Sequence, residues 1–221
     1  SKFTIVKPVQ VKRKNLIKKI ISIFLPMDNY YNESFFSKFK NLRSVVTPTT
    51  GDIHIDKEYL HKKKIKLINL SRIKSLRKIT TTSELTIGHI INLTRKIILI
   101  HNNFLKDMKF RKYNNELSNR SLTLGIVGLG RIGNHVATRA SALGFKVIYF
   151  DPFIKNKKFK KIKSLNRLIK SSNILSIHMH YNRKFYQKFD AKTFKNLKKP
   201  SYFINTSRGE FVNEIDLIRC L

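Results

Sequence analysis

Residues 122–153 read LTLGIVGLGRIGNHVATRASALGFKVIYFDPF. The run Leu122–Val127 is apolar throughout and leads into Gly128-Leu129-Gly130-Arg131-Ile132-Gly133 without a break. Ile132, Val136, Ala140 and Leu143 then recur at helical spacing, and Gly144 follows as a stop. A second apolar run, Lys146–Phe150, ends at Asp151, 18 residues past Gly133. Strand, glycine turn, helix and strand in this order predict a parallel βαβ unit. The glycines have distinct physical roles. The first permits the tight turn, the second lets backbone approach a pyrophosphate, and the third lets helix pack on strand. The helix N-terminus, at Arg131 and Ile132, offers N–H groups and the positive end of its dipole to phosphates. A carboxylate at Asp151 would accept adenosine-ribose hydroxyls and repel a 2′-phosphate, which favours NAD over NADP, although Lys155 stands nearby. The competing reading is an α/β turn that binds nothing.

Outward from this unit the alternation continues. Helices are expected over 163–170, 191–197 and 213–221, with strands over 174–179 and 202–205. Upstream, Ile20–Leu25, Ser44–Pro48 and Ile65–Leu70 read as strands, with helices over 33–42 and 55–60. Ser83–Leu99 is the longest helical pattern and Ser83 a plausible N-cap, while the polar stretch 101–120 reads as a connector. The fold class is therefore α/β: a flavodoxin-like domain over residues 1–100, and a Rossmann-type doubly wound parallel sheet over 102–221 that is cut short at its C-terminal end.

With 221 residues and 41% hydrophobic content the chain can bury a real core, which excludes the disordered and fibrous classes. No apolar run approaches the ~18 residues of a membrane span. Cys220 is the lone cysteine, so intrachain disulfides are impossible and a reducing cytoplasm is the expected setting. The net charge is +33, but 33 of the 46 basic residues are lysine, and Ile, Asn, Phe and Tyr are abundant too. That joint bias is what A/T-rich codons produce. It favours solvated lysine faces, with only nonspecific nucleic-acid binding, over a dedicated phosphate-reading surface, which leans on arginine.

Four ordered segments resemble the D-isomer-specific 2-hydroxyacid dehydrogenases, the phosphoglycerate dehydrogenase-like family. Leu122–Phe153 resembles their cofactor-binding stretch. VTPTTGDIHID (Val46–Asp56) resembles the substrate-domain loop, TSELTIGHIINLTR (Thr82–Arg95) the long helix that supports dimer contacts, and INTSRGEFV (Ile204–Val212) the INxxRGxxV element. The resemblance implies NAD as cofactor, a 2-hydroxy or 2-keto acid as substrate, a homodimer and no membrane. Carried over residue by residue, it implies cofactor contacts from Gly128, Gly130, Arg131, Ile132, Gly133, Asp151, Pro152, His178, Thr206 and Ser207. Thr49, Thr50 and Gly51 would receive the substrate carboxylate. Arg208 would be the catalytic arginine at the cofactor–substrate junction; a keto acid presents two coplanar oxygens that suit a guanidinium fork.

Two departures qualify this picture. Where the family has His-x-Pro, this chain has His178-Met179-His180. The two histidines could be half a metal site, but no third ligand lies at useful spacing, so no metal is expected. The family also needs a histidine acid/base paired with a glutamate, both downstream of the arginine motif. The sequence closes 13 residues after Arg208 without them. The expectation is a fragment that is inactive by itself; the alternative is a non-catalytic dinucleotide-sensing protein, corepressor-like.

Overall fold

In the computed structural model, which describes residues 17–106 and 118–221, Thr123–Val127 forms strand β4, buried at every residue. The described residues divide into two compact units, with the boundary between Leu76 and Arg77.

The first unit carries three parallel strands in the order β1 (Ser22–Phe24), β2 (Ser44–Val46) and β3 (Lys66–Ile68), with Ser22 level with Ser44 and Ser44 with Lys66. Helix α1 (Glu33–Phe36) is capped by Asn32, and α2 (Lys57–Lys62) by Asp56, whose side chains accept the N–H of Phe35 and Tyr59. Phe36, Val45, Ile55 and Leu60 are the buried centre of this unit. The expected helix over 33–42 is thus a single turn with turns after it.

In the second unit α3 (Thr81–Arg95) starts at Thr80, not Ser83; Ser83 Oγ instead donates to the Thr80 carbonyl at 2.6 Å. The helix stops at Lys96, whose φ of +53° is left-handed, and α4 (Ile97–Phe104) begins directly afterwards. The connector expected over 101–120 therefore starts as helix, and residues 107–117 lie outside the described residues. The sequence pattern puts the domain break near residue 100; here α3 groups with the second unit, because it packs on α5 (Arg131–Ala142) and on β8 (Tyr202–Asn205).

The second sheet is parallel, in the order β6-β5-β4-β7-β8, with β5 at Lys146–Phe150, β6 at Lys160–Lys161 and β7 at Ile174–Ile177. Side chains alternate between its faces. Leu124, Ile126, Val147, Tyr149 and Ile174 meet α3 and α5 on one side. Val127, Ile148, Leu175 and Ile177 meet α6 (Leu165–Ser171) and α7 (Ala191–Lys195) on the other. Helix α8 (Glu214–Cys220), capped by Asn213, closes the described chain. No helix among the described residues is long and apolar enough to cross a membrane.

Candidate functional site

The order β6-β5-β4-β7-β8 places the switch in winding direction between β4 and β7, where a doubly wound sheet opens a crevice at the carboxyl ends of its strands. Gly128 to Gly133 follow β4, Asp151 and Pro152 follow β5, His178 follows β7, and Thr206 to Arg208 follow β8. These residues therefore gather along one edge of four adjacent strands. Thr49, Thr50 and Gly51 lie in the first unit, in the loop after β2.

The three glycines of the turn differ in what enforces them. Gly128 has φ +88°, and an added Cβ would stand 2.8 Å from the His178 carbonyl oxygen. A Cβ on Gly133 would come within 2.1 Å of the Gly128 carbonyl oxygen, so this glycine lets α5 approach its own entry turn. Gly130 is of a third kind: its backbone is extended and its missing Cβ points into open space. No side chain at Gly130 caps α5, a twelve-residue helix whose first-turn amides lie at the positive end of its dipole. An open cradle in front of helix amides fits a dinucleotide's pyrophosphate.

Asp151 is 7% exposed and closes the turn from the side. Its Oδ2 accepts the Leu129 N–H at 2.8 Å, and its Oδ1 accepts those of Phe153 and Ile154, each at 2.9 Å. Burial alone would raise its pKa; the amides of Ile154, Leu129 and Phe153, with the Lys161 charge, outweigh burial and hold the carboxyl below its usual range. The site thus keeps a fixed negative charge where a ribose would lie.

His178 donates its backbone N–H to the Val127 carbonyl at 2.8 Å and stands behind the glycine turn. Its ring Nε2 lies 2.8 Å from Ser176 Oγ, and burial pushes its pKa down to about 4. The imidazole is therefore neutral at physiological pH. His180 is exposed, and among the described residues no three His, Cys, Asp or Glu side chains gather as a metal site would need.

Around Arg208 the organiser is Asn205. Its Oδ1 accepts the N–H of Ser207 (3.1 Å), the Ser207 hydroxyl (2.8 Å) and the N–H of Arg208 (3.3 Å), while its Nδ2 donates to the Arg208 carbonyl at 2.6 Å. Arg208 Nη1 donates to the Ser207 carbonyl at 2.7 Å. Thr206 Oγ1 meets Thr86 Oγ1 of α3 at 2.8 Å. Asn205, Thr86 and Ser176 do not stand out in the sequence as site residues. Asn three places before Arg208 is an Asx-turn signal that could have found the first. Thr86 lies 120 residues from its partner, and no local pattern reveals it.

In the first unit, Thr49 Oγ1 donates to the Gly51 carbonyl at 2.6 Å and lies 3.0 Å from Thr47 Oγ1, which in turn lies 3.2 Å from Nε2 of buried His54. The loop 49–51 is thereby backed by a buried polar chain.

Residues 87–221 match the family described as D-isomer specific 2-hydroxyacid dehydrogenase, NAD binding domain. The chain belongs to this family. A 2-hydroxyacid dehydrogenase of Staphylococcus aureus (strain USA300) is 31% identical over 192 residues, covering 82% of this chain and 58% of the relative. The chain thus spans somewhat more than half the length of the curated relatives it matches. Among solved structures it resembles D-lactate dehydrogenase from Aquifex aeolicus complexed with NAD and lactic acid (28% identity, TM-score 0.82, covering 94% of this chain and 62% of that one). It also resembles a D-lactate dehydrogenase from Treponema pallidum (25% identity, TM-score 0.74, covering 94% and 63%). The fold expectation of an α/β protein with a Rossmann-type parallel sheet is met, and the family expectation with it.

Proposed function

We propose that this chain binds NAD(H) and forms part of an NAD-dependent oxidoreductase acting on a 2-hydroxy or 2-keto acid. The observation that carries the reading is the glycine turn with open space at Gly130, flanked by the anchored Asp151 carboxylate at the sheet's switch point. The amides of Arg131 and Ile132 would hold the pyrophosphate, with Gly128, Gly130 and Gly133 shaping the cradle. Asp151 and Pro152 would flank the adenosine ribose, His178 would wall the site beneath the turn, and Thr206 and Ser207 would lie along the nicotinamide ribose. When bound, NAD supplies the hydride acceptor or donor.

Arg208 would fork onto the substrate's carboxylate and keto oxygen and stabilise charge developing on that oxygen. Thr49, Thr50 and Gly51 of the first unit would, by the family resemblance, offer backbone N–H groups to a substrate carboxylate. The proton needs a separate group. His178 does not suit that role, since it is held neutral with Ser176 as its partner. Residues 1–221 alone are therefore proposed to bind the dinucleotide without turning over an acid. In the whole protein, α3 and α4 would contribute to a homodimer. That is supported by the exposed Leu85, Ile97, Ile98, Leu99 and Phe104, an apolar surface that helices seldom leave in water. The lone cysteine suits a reducing cytoplasm.

The deciding test has two parts. NADH is titrated into the 221-residue chain and into its Gly130→Ala variant; saturable binding that the variant weakens supports the site. In the longer polypeptide, Arg208→Lys should cut keto-acid turnover by about two orders of magnitude or more while NADH affinity stays within about twofold. Unchanged turnover removes Arg208 from the chemistry.

A further inference from the structure

The loop after Asp151 carries a charge pattern that the binding of unphosphorylated NAD does not use. From Pro152 to Phe189 the sequence has no Asp or Glu, whereas Lys155, Lys157, Lys158, Lys160, Lys161 and Lys163 crowd its first part. The loop is also built. Tyr149 Oη accepts the Asn156 N–H at 2.8 Å, and Asn156 Nδ2 donates to Asn134 Oδ1 on α5 at 3.2 Å. Lys161 Nζ donates to the Ile154 carbonyl at 2.9 Å. The segment is thus pinned against the first turns of α5, beside the carboxylate, with Lys155 and Lys157 exposed.

Asp151 itself is a weakened gatekeeper. An ionised carboxylate offers about four acceptor positions, and three N–H groups already occupy three of them. Three amide dipoles and the Lys161 ammonium spread and offset its charge. A phosphate arriving at this end meets a buried carboxylate whose acceptor positions are mostly taken, with the lysines of the following loop beside it.

We propose that Lys155, Lys157 and Lys161 make the ribose end of this site accept a 2′-phosphorylated dinucleotide as well as the unphosphorylated one. The proposal rests on the dinucleotide reading above. A 2′-phosphate carries close to two negative charges near neutral pH, enough to engage two or three lysines as point charges. Lys155 and Lys157 are exposed, Lys161 is half-buried and Asp151 is buried, so salt screens the attraction more than the repulsion. Discrimination against the 2′-phosphate should therefore be small at low salt and grow as salt rises.

The chain has no tryptophan, so the fluorescence of reduced nicotinamide can be followed directly. NADH and NADPH are titrated separately into the 221-residue protein at about 50 mM and about 300 mM salt. The expected result is an NADPH Kd within about tenfold of that for NADH at the lower salt, with the ratio widening by about threefold or more at the higher. Lys155→Ala/Lys157→Ala should weaken NADPH by about tenfold and NADH by less than about twofold. Lys192→Ala/Lys195→Ala, which removes the same charge from α7, should leave the ratio unchanged. The proposal falls if NADH binds and NADPH is more than about tenfold weaker at low salt, or if the two double variants act alike. If neither dinucleotide binds, the reading of the glycine turn falls with it.

Discussion

Asp151 Oδ2 accepts the Leu129 N–H at 2.8 Å, which fastens the end of β5 to the middle of the glycine turn. The same carboxylate nucleates the loop that follows it through Phe153 and Ile154. Asp151→Asn can keep two of these bonds, but its NH₂ would then face the Leu129 N–H, donor against donor. We expect a loss of about 1–3 kcal/mol in urea unfolding. The wild-type carboxyl is held below its usual range, so its contribution is full above about pH 4 and is lost as pH falls through the folded-state pKa. The variant should lack that part of the acid limb. An equal acid limb in both proteins would refute the anchoring role.

Gly133 and Gly130 separate folding from binding. Gly133→Ala drives a Cβ to 2.1 Å from a backbone oxygen that cannot swing away, and should destabilise the second unit by about 2 kcal/mol or more. Gly130→Ala meets nothing within 4 Å and has an ordinary φ, so stability should stay within about 0.5 kcal/mol while NADH binding weakens about tenfold. Thermal melts of the two variants, with and without NADH, check both halves. Intact NADH binding in Gly130→Ala would mean that the open space is not a ligand's.

Much of this is legible from residues because it is local. Lys146–Phe150 and Tyr202–Asn205 form strands over the residues expected, and the turn from Val127 to Gly133 follows from its glycines. What is not legible depends on single dihedrals or distant partners. The apolar period of 83–99 runs through Lys96 unbroken, although that residue's left-handed φ ends one helix and starts another. Lys160–Lys161 is too short and too polar to show as a strand, yet it pairs with Ile148 and Tyr149. An amphipathic stripe states that α3 buries a face but not which unit covers it. The buried chain behind Thr49 likewise needs His54 brought beside Thr47 by the fold.

His178 makes stability fall on mild acidification. Its folded-state pKa is pushed to about 4 from an ordinary 6.5, so the unfolded chain binds the extra proton first. Stability is then full above about pH 6.5 and declines toward pH 4, by about 3 kcal/mol in all. His178→Gln keeps a hydrogen-bonding group for Ser176 and does not titrate. Melts from about pH 7.5 down to about pH 4.5 should show a steeper loss for the native chain than for the variant. Parallel losses would place the ring in contact with water.

Asn205 should act on Arg208 without touching the dinucleotide. Removing its side chain in Asn205→Ala strands the N–H groups of Ser207 and Arg208 and releases the Arg208 carbonyl. In the longer polypeptide we expect kcat to fall by about tenfold or more while NADH affinity changes by less than about threefold. Asn205→Asp keeps the three accepted bonds and should recover most of the loss, which a residue needed merely for bulk would not do. Equal defects in Ala and Asp would show that the turn is held by other contacts.

The last expectation concerns α4, where no residue is buried although Ile97, Ile98, Leu99 and Phe104 all lie on it. Each such side chain stabilises by about 1.5–3 kcal/mol once fully buried, so four exposed ones on a single short helix are costly to leave wet if a second copy can cover some of them. In the longer polypeptide, Ile98→Glu/Phe104→Glu should turn a dimer into a monomer by sedimentation. Neither residue lies at the strand ends where the dinucleotide is proposed to bind, so NADH affinity of the 221-residue chain should not change. Should the variant remain dimeric at micromolar concentration, α4 is not the dimer surface. A variant that is monomeric but no longer binds NADH would mean that the face supports the fold of the second unit instead.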